Sequence, residues 1–224
     1  MDIKSQSIPN IQVERTSLKD QAANWLRDLI VRGRIAPGSK ITERDVAELL
    51  HLSRMPARDA LMELENEGLV VTKLDGRYVI KLNEQDIRHL FQLRLSLEKL
   101  AVELAVENSS PEKQIALDAK VAEMRAAIEA GNSDRYTISD LEMHQLIWRQ
   151  AGNPYLVNVL NSLIGPIFMS IASQSRMIED WQVSLRLHEQ LAEMMKVKDR
   201  AGAVNSIVAH VRHSLELALL AVQK

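Results

Sequence analysis

Residues 33–79 read GRIAPGSKITERDVAELLHLSRMPARDALMELENEGLVVTKLDGRYV, and this stretch decides the fold. Gly33 and the Pro37-Gly38 pair exclude helix at its start, because the pair favours a turn. Thr42 is placed to cap a short helix whose inner face carries Val46, Leu49 and Leu50. HLS makes the next turn, and Ser53 is placed to cap a third segment running to about Glu67. Pro56 falls in its first turn, where a missing amide hydrogen costs little, and Gly68 stands at the left-handed exit. The runs LVVTK and RYVIKL that follow are β-branched and aromatic, and LDG between them suits a tight hairpin. Upstream, Leu18, Ala22, Leu26, Leu29 and Ile30 keep helical spacing and predict a first helix from Ser17 to Arg32. Three helices followed by a β-hairpin wing is the order of a winged helix-turn-helix. The reading places this unit at residues 16–82, behind a polar, aperiodic and flexible arm at 1–15.

From Asn83 the strand signal stops. Helical patterns predict segments near 84–107, 111–130, 133–151, 154–175, 180–198 and 201–222. Their breaks are marked by SSP at 109, GN at 131, GNP at 152 and the turn from Asp199 to Gly202. A kink is expected at Gly165-Pro166, where the ring removes one backbone hydrogen bond. With only two Phe, the core of residues 83–224 must be built from aliphatic side chains and Met, as in helical bundles. The fold class is therefore mainly α: a winged helix-turn-helix followed by an all-helical antiparallel bundle.

Bulk charge says little about partners. Net charge is -2, and the first 81 residues carry 13 Lys and Arg against 12 Asp and Glu. A nucleic-acid reading must rest on where particular arginines point. The chain has no cysteine, which removes thiolate metal sites and leaves only His and carboxylates as ligands. No apolar run reaches the roughly 18 residues of a membrane span, and the first twenty residues lack the pattern of a secretory signal. A cytoplasmic protein with no membrane partner is expected.

Arg54 and Arg58 lie four apart and share one face of the third helix, while Ala57, Leu61 and Leu64 face inward. Such guanidinium groups pair with guanine O6 and N7 or grip phosphate. Arg44 could join them from the preceding helix, and Gly76 with Arg77 is expected at the tip of the wing. On these residues the segment resembles the DNA-binding domain of the GntR family of bacterial regulators. The PG turn, the ER pair, the SR-P-R helix start, the Leu-Glu-x-x-Gly-Leu exit and a glycine-tipped wing occur in that order. The resemblance implies contacts to bases and phosphates from Arg44, Arg54 and Arg58 and a minor-groove approach by Gly76; Ser53, at the helix start, and Arg77, beside Gly76, are expected to contact DNA with them. The wing departs from the family by reading DGRY in place of two glycines around an Arg.

Among the six histidines, His144 follows Asp140 by one helical turn, so a carboxylate and an imidazole share a face. His188 and His210 stand on the last two helices, which a bundle could bring together. The segment from Asn83 to Lys224 resembles the FCD ligand-binding domain of the FadR-like branch of GntR regulators. Its hallmarks are Arg94 with Glu98, Asp140 with His144, and His188, Asp199 and His210. The resemblance implies a divalent metal on Asp140, His144, His188 and His210, engaging a carboxylate of an effector. Three imidazoles and one carboxylate suit zinc, nickel, manganese or iron, and leave positions open for water or an organic acid. Met143 stands where the family usually has Phe, which is expected to alter the pocket lining. Arg94 could pair with the effector or, at i+4, with Glu98.

The expected function is a DNA-binding regulator, a repressor by family habit, working as a homodimer on double-stranded operator DNA under control of a small carboxylate-bearing effector. The alternatives are a metalloenzyme in the helical domain and a metal-free ligand-binding regulator. No His or carboxylate beyond the ligand set is placed by motif as a general base, so the chain is not expected to be an enzyme.

Overall fold

The computed structural model describes residues 17–31, 33–172 and 178–222. The arm at 1–15 and the break between the seventh and eighth helices lie outside the described residues. The N-terminal unit contains α1 (Leu18–Val31), β1 (Lys40–Ile41), α2 (Glu43–Leu50), α3 (Arg54–Asn66), β2 (Val70–Lys73) and β3 (Gly76–Val79). Leu26, Ile30, Val46, Leu61, Leu64 and Leu69 form its own buried core.

Local chemistry explains most of these boundaries. Thr42 caps α2 in a reciprocal box: its hydroxyl accepts from the Asp45 amide, and the Asp45 carboxylate accepts from the Thr42 amide. Gly68 at φ +71° turns the chain out of α3, and the Leu69 amide bonds back to Leu64 O at 2.9 Å. Ser53 differs from expectation. It occupies the N-cap position of α3, yet its hydroxyl makes no cap hydrogen bond, so the first turn of α3 stays open to an external acceptor.

The sheet also differs. It has three antiparallel strands in the order β1-β3-β2, whereas a hairpin of two was expected. A strand of two residues has no periodicity to read; Lys40 and Ile41 become one by pairing with Tyr78 and Arg77. In the hairpin, Lys73 pairs with Gly76 and Thr72 with Arg77. The wing tip is consequently Leu74-Asp75, and Gly76 and Arg77 lie inside the ladder rather than on the tip.

Among the described residues that follow, every element is a helix: α4 (Glu84–Glu107), α5 (Pro111–Glu129), α6 (Ser133–Gln150), α7 (Pro154–Ala172), α8 (Ile178–Lys196) and α9 (Arg200–Val222). Asn83 opens α4 with a second capping box to Asp86, and Ser110 with Pro111 opens α5. α4 packs against α6, α7 and α9, α5 against α6 and α8, and α8 against α9. Phe91, Met124, Met143, Ile147, Trp181 and Leu191 belong to one core; Met143 is a core residue there. α7 runs through Gly165-Pro166 without ending, and it also packs against α1 of the N-terminal unit.

Candidate metal centre and nucleic-acid interface

α6 carries Asp140 and His144 one turn apart, α8 carries His188, and α9 carries His210. The packing of α8 on α9, with α4 joining α6 to α9, brings all four together, and one ligand atom from each lies within 4.8 Å of the others. His144 Nε2 stands 3.0 Å from His210 Nε2 and 3.4 Å from His188 Nε2. Asp140 Oδ1 is 3.5 Å from His188 Nε2. Donors sharing one ion at about 2.0 to 2.2 Å stand roughly 3 to 3.5 Å apart, so this spacing fits a divalent metal. The three imidazoles are buried, and Asp140 is partly exposed.

Nitrogen roles support the same fit. His188 Nδ1 lies 3.0 Å from the Ser184 carbonyl; it must donate there, which leaves Nε2 with its lone pair toward the cluster. Burial first, and the neighbouring His144 second, hold the His188 pKa down at about 4 against the pull of Asp140. Burial, with His188 and His144 close by, likewise puts His210 well below its ordinary value. Neutral imidazoles are the form a cation requires.

Glu98, expected as an FCD hallmark and a partner of Arg94 but not as a residue of the site, proves central. It is 0% exposed and accepts from Arg94 Nε at 3.1 Å and from Trp148 Nε1 at 2.9 Å. Its other contact is His144 Nδ1 at 3.1 Å, which aims His144 Nε2 at the cluster. Burial alone would raise the Glu98 pKa, but its contacts with His144, then Arg94 and Trp148, outweigh it and hold the carboxyl at about 2. The signal for this was present: Ile87, Phe91, Arg94, Glu98, Ala101 and Ala105 form the inward stripe of α4, spaced three and four apart. Two charges in an apolar stripe mark a buried pair. Arg94 thus keeps the intrahelical partner, and its Nη2 also reaches 3.4 Å from His144 Nε2.

On the other unit, Arg54 and Arg58 are exposed on the first turns of α3. Arg44 is exposed too and pairs with Glu48 at 3.2 Å, one turn along α2. Lys40, Thr42, Arg44, Arg54 and Gly76 border a groove of about 500 Å³ between α2 and the wing. Arg77 is drawn inward: it donates to Glu43 at 3.1 Å and stands 3.6 Å from Glu65, so it braces the wing against α2 and α3. Gly76 has a local reason to be glycine. Its φ is +143°, and a Cβ there would stand 2.7 Å from Lys40 Cε. Lys40 in turn donates to the Asp75 carbonyl, and Tyr78 donates to the Asp75 carboxylate.

Compared with known families, residues 18–78 match the bacterial regulatory proteins of the gntR family, and residues 89–213 match the FCD domain. The chain belongs to the GntR family, with an FCD domain. This GntR regulator is 28% identical over 198 residues to the HTH-type transcriptional regulator YdhC of Bacillus subtilis, covering 88% of each chain. It is 27% identical over 212 residues to the gluconate operon transcriptional repressor of Bacillus subtilis, covering 92% of this chain and 87% of that one. Its fold is similar to that of E. coli McbR/YncC, with a TM-score of 0.75 at 22% identity over 91% of this chain and 98% of the other. Its relatives are transcriptional regulators rather than enzymes. Among the described residues of this GntR regulator no helix is long and apolar enough to cross a membrane.

The shifted groups give a pH prediction for this FCD domain. Between about pH 4 and 6.5 the unfolded chain holds a proton at His188 that the folded chain lacks. Stability from this residue is therefore complete above the unfolded value and is lost as pH falls toward the folded one. Glu98 adds its own loss only below 4.5, toward about 2. For chelator-treated protein, the urea midpoint should drop more between about pH 7 and about pH 5 in the parent than in His188→Gln. Equal drops would contradict a neutral, buried His188.

Proposed function

We propose that this GntR-family regulator is a cytoplasmic transcriptional repressor that binds double-stranded operator DNA as a homodimer. A small carboxylate-bearing effector, held at a divalent metal on Asp140, His144, His188 and His210, modulates that binding. The observation that carries the reading is the convergence of those four donors, one of which, His144, also lines a pocket together with Arg94, Trp148, Leu160, Leu163 and Ile164. Zinc, nickel, manganese or iron suits three imidazoles and a carboxylate, and would supply a positive centre for an organic acid to complete. Arg94 stands at the pocket beside His144 and supports carboxylate capture from the protein side.

At the reading head, α3 would enter the major groove, with Arg54 and Arg58 at base edges or phosphates and Arg44 on the flanking backbone. The open first turn behind Ser53 offers amides and a hydroxyl to a phosphate. Gly76 would come near the minor groove together with the exposed tip, while Arg77 supports the wing from within through Glu43. Large exposed apolar residues on two mutually packed helices, Leu93 and Leu100 of α4 and Tyr155 and Val159 of α7, supply area for a second copy. A symmetric dimer would present two α3 helices about one DNA turn, roughly 34 Å, apart. For a duplex selected from a random library, Arg58→Ala should weaken binding about 10- to 100-fold in a gel-shift titration. Unchanged affinity would defeat the assignment of α3 as the reading element.

A further inference from the structure

α7 lies between the pocket and the reading head and touches both. Leu160, Leu163, Ile164 and Ile167 line the pocket that also holds Arg94, His144 and Trp148. At 3.6 residues per turn, Ser162, Gly165 and Pro166 fall on the opposite side of the helix. That side meets the exit of α3 backbone to backbone. A Cβ on Gly165 would stand 2.5 Å from the Glu67 carbonyl oxygen and 2.6 Å from Leu69 Cγ, and one on Gly68 would stand 3.0 Å from Pro166 Cγ and 3.0 Å from the Ser162 carbonyl. Pro166 has no amide hydrogen, so the Ser162 carbonyl, which that hydrogen would have engaged, is the oxygen that faces Gly68. Two glycines, one on each element, make this approach possible.

The junction is also tied into the whole head. Glu67 is the C-cap of α3, and its carboxylate accepts from Arg27 of α1 at 2.7 Å. Leu69 is fully buried in the core of the N-terminal unit. A push on residues 67–69 therefore moves α1 and α3 as a body, with Arg54 and Arg58 at the far end of α3. On the other side, the pocket encloses only about 10 Å³, room for about one water. Any larger guest must displace a wall, and α7 supplies four of the residues lining it.

We infer that α7 is the transmitting element between the two sites, and that Gly165 against Glu67 and Leu69 is the contact through which a displaced pocket wall reorients the reading head. The inference rests on the reading of the pocket as the regulatory site. A guest that binds the outward position of α7 better than the inward one shifts the head by that difference in affinity and by no more.

The test is a double-mutant cycle on the full chain. Leu163→Phe enlarges the wall from the pocket side without any metal, and Gly165→Ala forces the junction apart, because a methyl group cannot share space with a backbone oxygen. Leu163→Phe should change affinity for a selected operator duplex about threefold or more in the parent background. In the Gly165→Ala background it should change it less than about twofold. The same change in both backgrounds, or none in the parent, overturns the inference. Hydrogen exchange of the parent with and without zinc gives a second readout that needs no variant to fold. Bound zinc should slow exchange in α6, α8 and α9 and also at residues 64–70. Slowing that stops at the helical domain defeats the transmission through α7 and leaves the metal site standing. If zinc does not bind, the metal reading fails, and the cycle alone decides the role of α7.

Discussion

Replacing Glu98 by alanine should cost about 3 to 5 kcal/mol of folding stability, far more than an exposed ion pair is worth. The reason is what it leaves behind. Arg94 is 7% exposed and Glu98 is 0% exposed, so removing the carboxylate strands a guanidinium where water cannot replace the lost partner. Trp148 Nε1 and His144 Nδ1 lose their acceptor in the same step. Glu98→Gln separates charge from shape. It keeps one carbonyl acceptor in nearly the same volume, so the fold should survive, while His144 loses the carboxylate that fixes its tautomer. Metal affinity of that variant should fall about 10- to 100-fold, as for other partners of metal-bound imidazoles. Urea unfolding followed by far-ultraviolet circular dichroism reads the first effect and a competitive chelator titration the second. A Glu98→Ala midpoint corresponding to less than about 1 kcal/mol of loss would show that the network is solvated after all.

The elements of this chain that the sequence reveals are those decided by neighbours along the chain. Asn83 with Asp86, Ser110 with Pro111, and the glycines after α3 and α5 set helix ends through caps and left-handed turns, and each is a matter of three or four residues. What escapes is decided by contacts between distant residues. β1 exists only because Lys40 and Ile41 meet β3. Arg77 points inward only because Glu43 and Glu65 reach it from α2 and α3. Pro166 raises the expectation of a kink in α7; in the structure the helix continues, and the Gly165-Pro166 side is packed against the exit of α3. The His and Asp cluster falls between these cases. Asp140 and His144 share a face by local spacing alone, whereas His188 and His210 join them through the packing of three helices. Spacing names candidates, and tertiary packing decides whether they converge.

His144→Ala combined with His188→Ala should abolish stoichiometric metal binding. Two of four donors are lost, and each is oriented by a second partner, Glu98 for His144 and the Ser184 carbonyl for His188. Asp140 and His210 alone offer one partly exposed carboxylate and one imidazole, a set too small to outcompete water or a chelator. Elemental analysis after dialysis against a metal buffer should find about one ion per chain in the parent and almost none in the variant. Equal metal content would remove the site. The variant also separates binding from response. Arg54 and Arg58 sit on α3, outside the helical domain, so operator affinity measured in chelator should match the parent, while any change on adding metal should vanish. Arg58→Ala should behave the opposite way, losing operator affinity and keeping its metal. Two sites that bind independently yet shift each other's affinity when both are intact meet the thermodynamic definition of allosteric coupling. If the double variant still responded to metal, the coupling would have to originate at some other set of donors.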